Sequence, residues 1–327
     1  MAKFLGLGNA LVDILIQLPN DATLYELNLP KGSMQLVDAD RMQSILAQTE
    51  GLPRTLAAGG SAANTIHGLA NLGADAAFIG KVGDDSFGQA FANDLVQNGV
   101  TPIMLKGNAE SGRALAFITP DSERTFAVYL GAAIEMTAND LASSLFSGYT
   151  HFHIEGYLVQ NQNLIRRAVE LAKENGCTIS LDLASYNVVE ENKDFLREIV
   201  QEHVDIVFAN EEEAKAFTGK VPIDALKELG TLAEIAVVKL GADGSLIKQG
   251  DNIYEVGVID VSSIDTTGAG DLYAAGFLYG LSKGLSLAKC GEIGAILSGH
   301  VIEVLGPKMD SARWNRVKDL VFEVERN

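Results

Sequence analysis

Asp265-Thr266-Thr267-Gly268-Ala269-Gly270-Asp271 is an acidic, glycine-rich stretch that leads directly into an apolar segment of helical period, residues 272–281. Glycine lets backbone N–H groups come close to an anion. The free N–H groups of a helix start, with the helix dipole behind them, stabilise negative charge there. Asp271 adds a carboxylate at the same point. An aspartate of ordinary pKa, about 3.9, is ionised at neutral pH and can accept a proton from an attacking alcohol while the amides hold a transferred phosphoryl group. The same residues would also cap a plain helix, so the stretch alone leaves both readings open.

A second element lies far upstream. Ala58-Gly59-Gly60-Ser61-Ala62-Ala63-Asn64 predicts a Gly-Gly turn entering a helix over residues 61–72, and Gly80-Lys81-Val82-Gly83-Asp84-Asp85-Ser86-Phe87-Gly88 predicts a turn after a strand at 76–79. Each half alone also fits simple turn punctuation. The two motifs together, in this order, resemble the paired signatures of the PfkB family, the ribokinase and adenosine kinase type of carbohydrate and nucleoside kinases. The resemblance extends through Gly6-Leu7-Gly8-Asn9-Ala10-Leu11-Val12-Asp13, Asn210-Glu211-Glu212-Glu213 and Lys239-Leu240-Gly241-Ala242-Asp243-Gly244.

Composition sets outer limits. The 327 residues, 47% hydrophobic and 21% charged, suit a globular chain with a large core rather than a disordered one. A net charge of −18 without a lysine or arginine cluster argues against nucleic acid as a partner. It says little about a small phosphorylated ligand, which is captured by local N–H groups and one or two basic residues. Cys177 and Cys290 are too far apart for metal-ligand spacing and are expected as buried thiols. The apolar start is interrupted by Asp13, and no run of 18 apolar residues occurs, so a leader, a membrane span and a membrane partner are not expected. A cytoplasmic enzyme is the expectation.

Short runs rich in Val, Ile and Phe alternate with longer segments of helical period, the pattern of parallel β-α units. Strands are predicted at 4–8, 76–79, 151–154, 178–182, 206–209 and 235–239. Helices are predicted at 61–72, 88–98, 162–175, 193–202, 211–218 and 223–229. The expected fold class is α/β: a ribokinase-like, doubly wound, mainly parallel sheet flanked by helices. Ligands in such sheets bind beyond the carboxyl ends of the strands, where Asp182, Asn210 and Gly241 would lie. Residues 14–36 and 113–130 depart from the alternation. A hairpin is predicted from Arg113–Ile118 and Thr125–Tyr129 around Thr119-Pro120-Asp121-Ser122. The resemblance implies one kinase domain over 1–327 in which these two segments form a small β-rich lid that excludes water from phosphoryl transfer.

The resemblance also implies roles. Asp271 corresponds to the catalytic base, and the amides of Gly268, Ala269, Gly270 and Asp271 to the anion hole. The acceptor would be a primary hydroxymethyl group and the donor ATP with Mg2+. Asp13 would hold two adjacent hydroxyls as a bidentate acceptor, with Asn9 nearby, Gly59 and Gly60 admitting close backbone approach, and Asn64 bonding a hydroxyl. Asn210 and Glu213 would organise magnesium through its waters, although a glutamate run is by default a solvated helix start. Lys239, Gly241 and Gly244 would form the nucleotide loop. Ala295 falls at the adenine wall, where the family often has His or Asn. Asp265 and Thr267 match positions of a monovalent-cation (K+) site, with a partner loop at 302–306 followed by Pro307 instead of the usual Ala or Cys. Gly6-x-Gly8 fails as a dinucleotide fingerprint, because Leu11 stands where a third small residue is required.

The long interval between Asp13 and Gly59 and the N-terminal motif resemble adenosine kinases, whose lid covers the base; Ser33 and Gln35 would then face it. Glu155 points toward sugars, since ribokinases carry a sugar-binding glutamate there. Otherwise it is a strand-end carboxylate satisfied by solvent. Three readings stand: an adenosine kinase-like enzyme, ribokinase or another sugar kinase, and a non-catalytic sugar or nucleotide sensor. A pure binder has no need of a base at its anion hole, which weighs against the sensor. Monomer and homodimer are both compatible with the sequence.

Overall fold

The structure, a computed structural model, describes residues 2–121 and 123–326. Fourteen strands form among them. They are β1 Lys3–Leu7, β2 Leu11–Gln17, β3 Met34–Leu36, β4 Arg54–Gly59, β5 Asp75–Val82, β6 Val100–Lys106, β7 Gly112–Ile118, β8 Arg124–Tyr129, β9 His151–Glu155, β10 Thr178–Asp182, β11 Ile206–Asn210, β12 Ile235–Lys239, β13 Ser245–Gln249 and β14 Asn252–Val256.

Nine of these build one sheet in the order β14-β13-β12-β11-β10-β9-β1-β5-β6. The seven strands from β6 to β12 are parallel, and β13 and β14 finish that edge as antiparallel neighbours. Alternation along each strand feeds two cores. Phe4, Phe78, Phe208 and Val237 pack against the helices Ser61–Asn71, Ala269–Ser282, Leu287–Val301 and Ser311–Arg326 on one face. On the other, Leu5, Ile79, Val207 and Val238 meet Gln162–Glu174, Lys193–His203 and Pro222–Leu232. Strands buried on both faces read as continuous apolar runs, and the six predicted strands are all present. β5 runs past Ile79 to Val82 because β6 continues to pair with it. β6 on one side of the sheet and β13 and β14 on the other lie outside the strands that the sequence predicts. β6 carries Pro102, which an edge position tolerates, and the outer pair alternates with polar residues.

A second sheet has the order β3-β8-β7-β2-β4. Its β7–β8 hairpin is the one predicted, with Ser122 outside the described residues. The small sheet takes in more chain than residues 14–36 and 113–130: β2 begins at Leu11, and β4 adds Arg54–Gly59 against it. Pleating separates its faces. Val12, Ile14 and Ile16 pack with Leu115 and Phe117 beneath the helix Ala39–Gln48. The opposite face carries two registered rows, Asp13–Ala114–Val128–Leu36 and Leu15–Ala116–Phe126–Met34. Among the described residues no helix is long and apolar enough to cross a membrane.

Candidate active site

The carboxyl ends of the parallel strands and the starts of two buried helices converge on one cavity of about 570 Å³, a size suited to small ligands. Its lining includes Asp13, Gly60, Ser61 and Asn64 at one end and Gly241, Gly244, Gly257, Val258, Ala295 and Ser298 at the other. Asp182, Asn210, Glu213, Lys239, Thr267, Ala269, Gly270 and Asp271 lie between.

Gly268 is the N-cap of the helix Ala269–Ser282 and has φ +78°, the left-handed region that glycine tolerates. A side chain there would also press on Pro307, whose Cβ would lie 2.7 Å from an added Cβ. The amides of Gly268, Gly270 and Asp271 have no acceptor among the described residues, whereas the Ala269 amide donates to Thr266 O at 3.2 Å. Three amides of this turn are therefore free, where the resemblance implies an anion hole of four. The turn of the chain that places Gly268 costs the fourth.

Asp271 is held from the opposite helix. Ser61 Oγ donates to its Oδ1 at 2.7 Å and Asn64 Nδ2 to its Oδ2 at 3.0 Å. Thr65 Oγ1 donates to its carbonyl at 3.2 Å. Burial pushes its pKa up to about 6, against these side-chain hydrogen bonds; Asp182 raises it further and Lys239 opposes the rise. The ordinary ionisation expected of this residue is thus corrected by desolvation. Asn64 Oδ1 is buried, an acceptor with no donor among the described residues.

Lys239 Nζ donates to Asp182 Oδ2 at 2.7 Å. A Cβ on Gly270 would sit 3.0 Å from the same Nζ, so glycine there leaves the ammonium undisturbed beside the free amides. Burial works against the charge of Lys239, but Asp182 and Glu213 hold its pKa above the ordinary value. The sequence puts Asp182 at a strand end and Ser61 in the Gly-Gly motif without marking a role for either; in the structure both bear directly on the central groups.

Asn210 and Glu213 form a capping box. Glu213 N donates to Asn210 Oδ1 and Asn210 N to Glu213 Oε2, each at 2.8 Å, and Asn210 Nδ2 donates to Glu213 Oε1 at 2.7 Å. Glu211 and Glu212 are exposed, but Glu213 is buried, so the glutamate run is not wholly a solvated start. Burial and the nearby Asp182 raise its pKa. Among the described residues no group of three His, Cys, Asp or Glu side chains could grip a metal directly. The oxygen donors of Asp182, Asn210 and Glu213 fit magnesium, which keeps its waters and relies on few protein ligands.

Asp13 is half-buried and lines the end of the cavity next to Gly60. A Cβ on Gly59 would fall 2.2 Å from its carboxylate, and Gly60 has φ +94°, where an added Cβ would lie 2.3 Å from Asn9 O. Loss of water raises the pKa of Asp13 to about 7, with Lys308 the chief opposing charge.

Several expected site residues stand elsewhere. Glu155 does not line the cavity and does not meet solvent. Its Oε1 accepts from Asn9 N and Asn9 Nδ2, both at 2.9 Å, and its Oε2 from Ala62 N at 2.8 Å. Burial raises its pKa to about 7. It is a buried tie between strand end and helix start, and it occupies the Asn9 side chain. Gly8 clears its path, since a Cβ there would lie 2.5 Å from Oε2. Ser33 and Gln35 do not line the cavity either: Ser33 Oγ donates to Pro30 O, and pleating turns Gln35 away from the face that carries Asp13. Met34 and Leu36 take that face instead.

Asp265 and Thr267 already have a cation. Arg124, from β8, pairs with the Asp265 carboxylate and donates to Thr267 Oγ1. Asp265 also accepts from Thr267 N and Gly306 N. The expected monovalent-ion pair is therefore spanned by a guanidinium from the small sheet, which no local pattern in the sequence announces.

Comparison with known proteins extends these observations. Residues 36–312 match the pfkB family carbohydrate kinase. A probable sugar kinase from Rhizobium etli shares the fold with a TM-score of 0.88 and 33% identity, covering 98% of each chain. Adenosine kinase from Sinorhizobium meliloti has a TM-score of 0.87 and 35% identity, covering 98% of this chain and 99% of its own. Adenosine kinase of Saccharomyces cerevisiae is 30% identical, covering 95% of this chain and 98% of its own. A likeness of this extent, joined to a cleft in which the two signature motifs meet, makes the chain a member of the PfkB family: a sugar or nucleoside kinase of ribokinase-like fold that uses ATP as phosphoryl donor.

Proposed function

We propose that the protein transfers the γ-phosphoryl group of ATP to the primary hydroxymethyl group of a nucleoside, adenosine first. The observation that carries this reading is the face of the small sheet that bears Asp13. Beyond that carboxylate its rows present Leu15, Ala114, Ala116, Phe126, Val128, Met34 and Leu36, a mainly apolar surface with Phe126 lining the cavity; Thr55, Gln17 and Arg124 share the face, and Arg124 is engaged by Asp265 and Thr267. A free sugar is hydroxylated on every side and would leave its polar groups unpaired there, whereas a flat base buries area on it. Asp13 and the free Oδ1 of Asn64 suit the ribose hydroxyls below. Glu155, the residue that pointed to a sugar, is consumed by Asn9 and Ala62.

In this reading Asp271 takes the proton of the attacking hydroxyl, held at its station by Ser61 and Asn64. The free amides of Gly268, Gly270 and Asp271, with Lys239, receive the negative charge of the transferred group. Asn210 and Glu213 would hold magnesium through its waters; when bound, that ion neutralises phosphate charge. Gly241, Gly244, Ala295 and Ser298 line the end where the donor nucleotide would lie. The small sheet acts as the lid of a single kinase domain and keeps water from the transfer.

A coupled ADP-release assay over a panel of nucleosides and sugars tests the proposal. Adenosine is expected to give the highest kcat/KM. A free sugar turned over faster than every nucleoside would overturn the substrate assignment, and tight binding without turnover of any of them would overturn the catalytic role of Asp271.

A further inference from the structure

We infer that Lys308, paired with Asp94 against the strand pair that carries Asp13, is a positioning residue for capture of the acceptor. The inference rests on the reading of Asp13 as the group that holds two acceptor hydroxyls.

The geometry brings these residues together from three parts of the chain. Gly306 turns onto the small sheet, where an added Cβ would lie 3.1 Å from Leu15 Cδ2, and Leu15 shares a face of β2 with Asp13. Lys308 follows two residues later. Its Nζ lies 3.3 Å from Asp94 Oδ2, is closed off from solvent and makes no well-aligned hydrogen bond. Asp94 Oδ2 in turn accepts from Ala58 N at 3.1 Å. The neighbouring Ala57 is the ladder partner of Asp13. An under-satisfied ammonium is therefore buried beside the strand pair that carries the acceptor carboxylate, outside the cavity lining itself. Burying it there costs free energy, and Asp94 alone does not satisfy its donors.

The charges around Asp13 show what the ammonium does. Burial raises the pKa of Asp13 to about 7; Lys308 opposes the rise most strongly, Asp271 and Asp94 add to it, and Arg124 opposes it. A carboxylate accepts from two hydroxyls only when ionised, because the protonated acid spends one oxygen as a donor. With Asp13 poised near neutrality, Lys308 favours the binding-competent form and Asp94 disfavours it. Lys308 thus acts on the acceptor through Asp13, and the two members of the pair have opposite signs.

The test is the dissociation constant, by calorimetry, of whichever acceptor the turnover panel selects, measured from about pH 5 to about pH 9 for the full chain. In the unaltered protein affinity should fall as pH drops through about 7. Lys308→Met should move that fall upward by about one pH unit, weakening binding about fivefold near neutrality and recovering it at higher pH. Lys308→Arg should restore the original profile. Asp94→Asn, whose amide oxygen can still accept from Ala58 N, should move the fall downward. The double variant Asp94→Asn/Lys308→Met leaves no unpaired charge behind, so it guards against simple misfolding of Lys308→Met. Profiles that fall at one pH in all these variants, while Asp13→Asn binds weakly and without pH dependence, would overturn the inference and leave the acceptor reading intact. Asp13→Asn that binds as the unaltered protein does would overturn the role of Asp13, and the inference with it.

Discussion

Asp271 shows how an ordinary side chain is retuned by its surroundings. In water its carboxylate would be a weak base, ionised far below neutral pH. Enclosed between two helix starts it is pushed up to about 6, closer to the working range of a general base and still mostly ionised at neutral pH. If Asp271 is the base, as proposed, it works deprotonated, and kcat/KM for ATP, measured at saturating acceptor, should fall as pH descends through about 6. Asp271→Asn keeps a hydrogen-bonding shape but cannot take the proton. Its kcat should drop by about 10² to 10⁴-fold, while ATP affinity, measured by equilibrium dialysis, stays near that of the unaltered protein. The sequence identified Asp271 from the turn in front of it. Its pKa was not legible there, because the desolvation comes from the distant helix that contributes Ser61 and Asn64.

At the scale of elements, two side chains tie parts of the chain that never meet in sequence. Glu155, at the end of β9, joins the end of β1 to the start of the helix Ser61–Asn71 through Asn9 and Ala62. Glu155→Gln can accept with one oxygen only and would aim an amide N–H at another donor. The variant should lose about 1–3 kcal/mol of stability, read from the denaturant midpoint. The sign of its pH effect also follows. Burial lifts the carboxyl from 4.5 to about 7 in the folded state. Its contribution to stability is therefore fully present below about 4.5, declines as pH rises, and levels off above about 7. Glu155→Gln should flatten that slope. The second tie is Arg124, which carries its own charge from β8 to Asp265 and Thr267. Turnover should accordingly be the same in potassium and in tetramethylammonium salts, checked by the ADP-release assay at constant ionic strength. Expectation and structure diverge here for one reason: the hairpin was legible from its alternation, but which turn its arginine would reach depends on how the two sheets face each other.

For the molecule as a whole, the cavity lies between a sheet with two packed faces and a smaller sheet with one face packed and the other turned to the ligand. Filling the cavity should slow amide hydrogen exchange in β3, β7 and β8 when adenosine and a non-hydrolysable ATP analogue are both present, with the central strands unchanged. Uniform exchange in the small sheet with and without ligands would argue against its acting as a lid. The amino-acid sequence by itself determined the parallel core, since strands buried on both faces must be continuous apolar runs. It also determined the two glycine-rich turns, since glycine adopts the positive φ of Gly60 and Gly268 without the steric cost that a side chain brings. Tertiary structure alone decided the rest. A slip of one residue in reading β3 exchanges Gln35 for Met34 and Leu36 on the sheet face that carries Asp13, because side chains alternate faces and no local signal says which face is covered. Glu155, Arg124 and Lys308 gain their partners only through packing, because a charged side chain's role is set by what desolvates it and what lies opposite, and both arrive from remote parts of the chain.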